Sequence, residues 1–70
     1  MTPITLAKIG EENIIRKVGG DAQVKKHLES LGIFVGSLAT VIATHEGDVI
    51  ISVKDARIAV NEDMAKQIMI

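Results

Sequence analysis

Apolar and polar residues alternate in short segments at the start of the chain. Residues 5–9 end at Gly10, and three polar residues separate them from the β-branched segment 14–18. Short segments of this kind, bounded by glycine or polar clusters, are typical of strands. We therefore expect two short strands joined by a turn.

The spacing of apolar residues becomes helical after a pair of glycines at positions 19 and 20. The apolar stripe consists of Val24, Leu28 and Leu31, at the i, i+4, i+7 spacing. Asp21 is placed to cap the first turn, and Gly32 is placed to end the helix in a left-handed conformation. This pattern predicts a helix over residues 22–31.

Two β-branched segments follow the helix. Residues 38–44 favour a strand, and residues 45–48 contain the glycine and acidic side chains of a turn. The return segment has apolar residues at every second position. These residues are Val49, Ile51 and Val53. Such alternation is typical of a half-buried strand, so the two segments predict a hairpin.

The end of the chain predicts one more strand and a short helical turn. Residues 57–60 are the strand, Asn61 is a candidate N-cap, and Glu62 and Asp63 are placed to stabilise the helix dipole. Residues 67–70 predict a closing edge strand. Short strands with one inserted helix are expected to form a small, mainly β barrel.

Composition shows how this fold can be stabilised. The chain has 70 residues, enough for one domain over residues 1–70, and it contains no cysteine, so disulfides and thiolate metal clusters are excluded. Hydrophobic residues make up 47% of the chain, but Phe34 is the only aromatic residue, so the core must be aliphatic. The mean hydropathy of +0.31 also predicts exposed apolar residues, and a contiguous patch of them would indicate an interface.

Charge argues against a nucleic acid or membrane partner. Eight basic and nine acidic residues give a net charge of -1 and are spread along the chain. A basic cluster flanks the glycine pair, but aromatic residues for stacking bases are missing. No segment of roughly 20 apolar residues is present. We expect a cytoplasmic protein that reaches the membrane only through a partner.

The sequence has few residues suited to catalysis or metal binding. We expect that the protein is not an enzyme and that it has no cofactor and no metal site. The chain lacks the common motifs for a catalytic nucleophile, a zinc-binding helix and a phosphate-binding loop. His27 and His45 are the only histidines and are expected on separate elements. A transition metal needs three or four convergent donors.

Two parts of the chain resemble the FeoA family of bacterial ferrous iron transport proteins. Residues 24–36 combine a helix, a Leu-Gly pair and a following glycine with the spacing of that family. Residues 47–53 and 57–70 are similar to its closing strands and terminal helical turn. Val35 stands where the family often has proline, and Asp55 stands near a frequent glycine.

The resemblance implies a fold and a function. The fold implied is an SH3-like β-barrel with an inserted α-helix and a short C-terminal helical turn. The function implied is that of a cytoplasmic accessory protein, which binds the membrane ferrous iron permease that carries a GTPase domain. The alternative is a metal- or ligand-responsive regulatory module, similar to the SH3-like domain of iron-dependent repressors. Weak self-association is left open.

The partner surface is expected at the end of the helix and in the loop that follows it. Loops carry binding residues more often than packed strands do, and Phe34 is the one large side chain in this segment. Phe34 can either fill the barrel or project as an anchor. The candidate partner-binding residues are Lys25, Lys26, Leu31, Ile33, Phe34 and Val35.

Overall fold

Short strands and three helical segments alternate along the chain, and the computed structural model describes all residues, 1–70. The elements in chain order are a 3-10 helix (Ile4–Leu6), β1 (Glu12–Ile14), β2 (Lys17–Val18), α1 (Ala22–Ser30), β3 (Leu38–His45), β4 (Asp48–Val53), β5 (Ala56–Val60), α2 (Glu62–Ala65) and β6 (Ile68–Met69). The expected mainly β fold with an inserted helix is confirmed.

The strands form two antiparallel sheets. The larger sheet has four strands in the order β1-β3-β4-β5, and the smaller one pairs β2 with β6. Hydrogen bonds do not join the two sheets into a closed barrel, so the expected closure is not observed. The two sheets and the helices enclose one aliphatic core.

Helix α1 begins and ends through the predicted signals. The Asp21 side chain accepts a hydrogen bond from the Val24 amide at 2.9 Å. At the other end, Gly32 has φ +92°, and the Ile33 amide donates to the Leu28 carbonyl at 2.9 Å. This pattern satisfies carbonyls left free in the last turn. The helix ends one residue earlier than predicted.

None of the helices is long and apolar enough to cross a membrane.

Two tight turns build the β3-β4-β5 meander, and the predicted hairpin is confirmed. Glu46 and Gly47 both have positive φ, at 51° and 90°, which matches the type I′ turns favoured between antiparallel strands. In the β4-β5 turn, the positive φ of 56° falls on Lys54 and not on Asp55. Both turns leave only two residues between the paired strands.

The predicted strand over residues 5–9 is wrong. Ile4 and Ala7 lie three residues apart, on the side of a 3-10 helix that packs against the core. The Ala7 amide donates to the Ile4 carbonyl at 3.1 Å, which closes this helical turn. Leu6 and Ile9 are exposed. Packing of Ile4 therefore outweighs the alternating local pattern.

The predicted single strand over residues 14–18 is divided between the two sheets. The Ile15 amide donates to the Ser37 carbonyl at 2.9 Å, next to β3. The next amide, that of Arg16, donates to the Met69 carbonyl at 2.8 Å and so belongs beside β6. The chain changes sheets between these two residues, and one strand becomes β1 and β2.

The C-terminal predictions are confirmed. The Asn61 side chain accepts a hydrogen bond from the Met64 amide at 2.9 Å and caps α2. Strand β6 then pairs with β2, and the backbones of Thr2 and Ile70 exchange hydrogen bonds of 2.9 and 2.8 Å. The two ends of the described chain therefore lie side by side.

The core is aliphatic, as the composition predicts. It consists of Ile4, Ile15, Leu28, Ile33, Ala39, Val41, Val49, Ile51, Val53, Val60, Ala65 and Ile68. Burial of such side chains contributes about 1.5–3 kcal/mol for each of the larger ones. No aromatic ring is needed to fill this space.

Candidate protein-binding surface

The loop after α1 is a tight turn that presents Phe34. The Ser37 amide donates to the Phe34 carbonyl at 3.0 Å, so residues 34–37 form a β-turn. Gly36 has φ +95° at the third position, as type II turns require. Val35 occupies the second position, where proline is common in such turns. This explains why valine can replace the proline of the FeoA pattern without loss of the turn.

Additional hydrogen bonds hold this turn in place. The buried Ser37 hydroxyl donates to the Phe34 carbonyl at 2.8 Å and accepts from the Phe34 amide at 3.2 Å. The Gly36 amide also donates to the Ile15 carbonyl at 2.8 Å, which connects the loop to the end of β1. The backbone of Phe34 is therefore positioned before any partner binds.

The loop after α1 exposes two apolar side chains. Phe34 is 42% exposed and Val35 is 63% exposed, so the aromatic ring is on the surface and does not fill the core. Leu31 is half-buried at the C-cap of α1. Leu31, Phe34 and Val35 are the apolar side chains that this segment offers to a partner. We call the segment, residues 31–36, the helix-end loop.

Ile33 requires a correction. It was expected to contact a partner, but its side chain is fully buried and belongs to the core. The reason is the end of α1, where Ile33 follows the left-handed Gly32 and turns back over the last helical turn. Ile33 therefore supports the loop from inside and is not accessible to a partner.

The two candidate lysines differ in position. Lys25 lines a depression of about 210 Å³ together with Phe34 and Val35, whereas Lys26 is exposed elsewhere on α1. Glu29 lines the same depression, which therefore has both a positive and a negative side chain at its surface. The structure brings Lys25 to the helix-end loop and leaves Lys26 outside it.

A second exposed apolar area adjoins Phe34. Ile14 and Leu38 are opposite each other in the β1-β3 register and are 50% and 48% exposed. A groove of about 400 Å³ runs from Phe34 and Leu38 across the outer face of the sheet. We call this area the sheet patch; it consists of Glu12, Ile14, Phe34, Leu38, Thr40, Ser52 and Lys54.

The sheet patch was not predicted from the sequence, although one signal for it is present. Neighbouring residues of a strand face opposite sides, so only one of Ile14 and Ile15 can face the core of a sheet that is covered on one face. The same parity places Leu38 outward when Ala39 and Val41 are inward. Which apolar residue of each pair faces the core depends on the pairing with other strands.

The histidines lie apart, as expected. His27 is on α1, and His45 is the last residue of β3. No group of three or more His, Asp or Glu side chains is arranged to hold a metal ion. What the surface offers is apolar contact and a few charges, which suits protein binding.

Comparison with known proteins gives one family and one curated relative. The family model of the FeoA domain matches residues 2–70. A protein of Methanocaldococcus jannaschii, which carries the provisional name Fe(2+) transport protein A, is 40% identical over 70 residues. The match covers this whole chain and 85% of that protein.

Solved structures share the fold. A crystal structure of an iron uptake regulatory protein (FeoA) is 26% identical, with a TM-score of 0.87, over 97% of this chain and 90% of that one. The solution structure of FeoA from Chlorobium tepidum has a TM-score of 0.87 at 16% identity, over 97% and 67% of the two chains. A manganese-dependent transcriptional repressor has a TM-score of 0.85 at 19% identity, over 94% of this chain but 38% of its own. At such identities the last two show the fold alone.

Proposed function

Because the chain belongs to the FeoA family, whose members are accessory proteins of ferrous iron transport, we propose that it assists this process by binding a membrane ferrous iron permease at its GTPase domain. In this proposal the chain acts in the cytoplasm, where GTP is available. It reaches the membrane only through the permease.

The exposed Phe34 on its fixed turn is the observation that carries the proposal. Aromatic side chains contribute a large apolar area at low cost in side-chain entropy, and they are enriched among residues that dominate binding energy. Because hydrogen bonds from Ser37 already hold the Phe34 backbone, binding needs little further ordering of the loop. Val35 and Leu31 extend the apolar contact.

The lysines have a smaller proposed role. Lys25 lies at the edge of the helix-end loop and can attract an acidic partner surface, whereas Lys26 is farther out. Charges at the rim of an interface mainly change the association rate and its salt dependence. We therefore assign the affinity to Phe34 and the steering to Lys25.

The proposed role needs no chemistry from this chain. Nucleotide hydrolysis belongs to the GTPase domain of the partner, and no cofactor, resident metal or nucleic acid is part of the proposal.

We also propose that the fold is SH3-like. The short antiparallel strands and the FeoA structure of similar backbone support this description.

The test compares Phe34→Ala with Leu6→Ala, which removes another exposed apolar side chain outside the helix-end loop. Both variants should remain folded. Phe34→Ala should reduce co-purification with the permease from membranes and lower ferrous iron uptake by cells, with Lys26→Ala having a smaller effect. Leu6→Ala should leave both unchanged.

Two results would contradict this assignment. If Phe34→Ala unfolds the domain, the ring is needed for the core. If the variant folds and still binds the permease at wild-type affinity, the partner uses another face, and the β4-β5 strands become the next candidate.

The regulatory-module hypothesis is the second candidate. The observation that favours it is the shared backbone with part of a manganese-dependent repressor, which extends to the fold only. Calorimetry with ferrous iron and with manganese decides between the two. Stoichiometric submicromolar binding that is lost in His27→Ala or His45→Ala would favour the sensor.

A further inference from the structure

The sheet patch has an acidic residue on one side and a basic residue on the other. Glu12 is on β1, and Lys54 is in the turn after β4. Strand β3 lies between them, and Lys54 is two residues beyond Ser52, which is in the same register row as Glu12, so the two backbone positions are roughly 12 Å apart. Neither forms an ion pair within the chain, since Glu62 and Lys66 make the one salt bridge present.

Thr40 lies directly beside Glu12 in the sheet, and exposed apolar side chains lie next to this polar pair. Leu38 lies on the central strand, Ile14 is beside it on β1, and Phe34 adjoins them from the loop. Monomeric proteins rarely leave large contiguous apolar areas uncovered, and such areas rimmed by polar residues indicate interaction sites. The arrangement therefore calls for an occupant with apolar contacts and both signs of charge.

We propose that this occupant is a second copy of the chain, paired through a two-fold axis near Leu38. In a two-fold interface both copies use the same surface. A residue on one side of the axis in one copy therefore contacts a residue from the other side of the patch in the second copy. Glu12 of each copy then faces Lys54 of the other, and the apolar side chains meet at the centre. A partner surface of one charge sign would instead meet a like charge at one end of the patch.

The size of the molecule limits the strength of this pairing. With extents of 28 × 23 × 23 Å, a whole face measures roughly 600 Å² per copy, so the sheet patch, which is part of one face, buries at most roughly 1,200 Å² in total. This is the lower limit for stable protein interfaces, which is typical of transient complexes. The dimer should therefore form reversibly, at micromolar or higher concentrations.

Self-association has a consequence that rests on the function proposed above. Phe34 belongs both to the sheet patch and to the helix-end loop, so a dimer covers the side chain assigned to the permease. Two copies and the permease then compete for the same ring. A rise in the concentration of the chain would reduce the fraction able to bind the transporter.

Charge reversal tests the pairing. Sedimentation velocity of the full chain, from micromolar to millimolar concentration, should show a reversible monomer-dimer equilibrium. Glu12→Lys or Lys54→Glu alone should weaken the dimer about tenfold, because each replaces two attractive contacts with two repulsive ones. The double variant Glu12→Lys/Lys54→Glu should restore the wild-type dimerisation constant.

The control is Glu46→Lys, which makes the same charge change at the opposite end of the β3-β4 hairpin. Its dimerisation should match that of the wild type, and circular dichroism should show that every variant is folded. A chain that stays monomeric throughout overturns the proposal. A dimer that the single reversals leave unchanged, or that the double variant fails to restore, overturns it as well.

Permease binding is measured on the same variants, so that the two proposals can fail separately. A dimer that responds to charge reversal, in a chain that does not bind the permease, supports the pairing and contradicts the proposed function. Permease binding by a chain that forms no dimer supports the proposed function and contradicts the pairing.

Discussion

The two faces of the four-stranded sheet differ in chemistry although they are built from alternate residues of the same strands. The inward face is aliphatic and almost completely buried, as at Val41 and Ile51. The outward face mixes hydroxyl, charged and apolar side chains, as at Thr40, Ser52 and Leu38. A shift of one residue along a strand therefore moves a side chain from the core to the surface.

This difference separates the residues that stabilise the fold from those available for binding. Inward side chains lose water on folding and contribute to the free energy of unfolding. Outward side chains stay partly in contact with water after folding, so they contribute less to stability. Substitutions on the two faces should consequently affect different measurements.

The largest expected difference is between Ile51→Ala and Leu38→Ala. Ile51→Ala should lower the free energy of unfolding by about 2–5 kcal/mol, because it leaves a cavity in the core. Leu38→Ala should cost less than about 1 kcal/mol, since the leucine is already half exposed. Urea unfolding measures both. Equal losses for the two variants would show that the outward face is packed. Leu28→Ala should lower the free energy of unfolding by about as much as Ile51→Ala, because Leu28 is also fully buried.

A smaller effect is expected from Val41→Thr. The substitution keeps the shape and the strand preference of the side chain but places a hydroxyl group among the inward aliphatic residues. A buried hydroxyl without a hydrogen-bond partner should lower the free energy of unfolding by about 1–3 kcal/mol. Thermal unfolding followed by circular dichroism measures this loss. An unchanged stability would mean that the inward face tolerates polar groups.

The smallest effect is expected from the reverse exchange at the neighbouring position, Thr40→Val. The Thr40 hydroxyl faces the outer groove, so its removal should change the free energy of unfolding by no more than about 0.5 kcal/mol. The same unfolding measurement applies. A loss as large as that of Val41→Thr would remove the distinction between the two faces.

Local signals in the sequence were sufficient where the structure depends on neighbouring residues. The Asp21 and Asn61 caps, the left-handed Gly32 and the β3-β4 turn all act within a few residues. The resemblance to the FeoA family is confirmed by the family model over residues 2–70. The position of Phe34 in a loop after the helix also followed from such signals.

Non-local contacts explain what the sequence did not predict. The 3-10 helix forms because Ile4 packs into a core built by distant strands, and residues 14–18 divide because their partners lie in two sheets. Ile33 and Phe34 are adjacent and both apolar, so their opposite exposure depends on the path of the chain after Gly32. The sheet patch likewise requires knowledge that β1 pairs with β3.

The pairing of β2 with β6 joins segments from opposite ends of the chain, whereas the β3-β4-β5 meander is connected by two-residue turns. Closing a long loop costs more conformational entropy than closing a short one, and this cost precedes any gain from the contacts made. We therefore expect the meander to form first during folding. Formation of the small sheet, with the neighbouring Thr2 and Ile70 backbones, would then complete the native state.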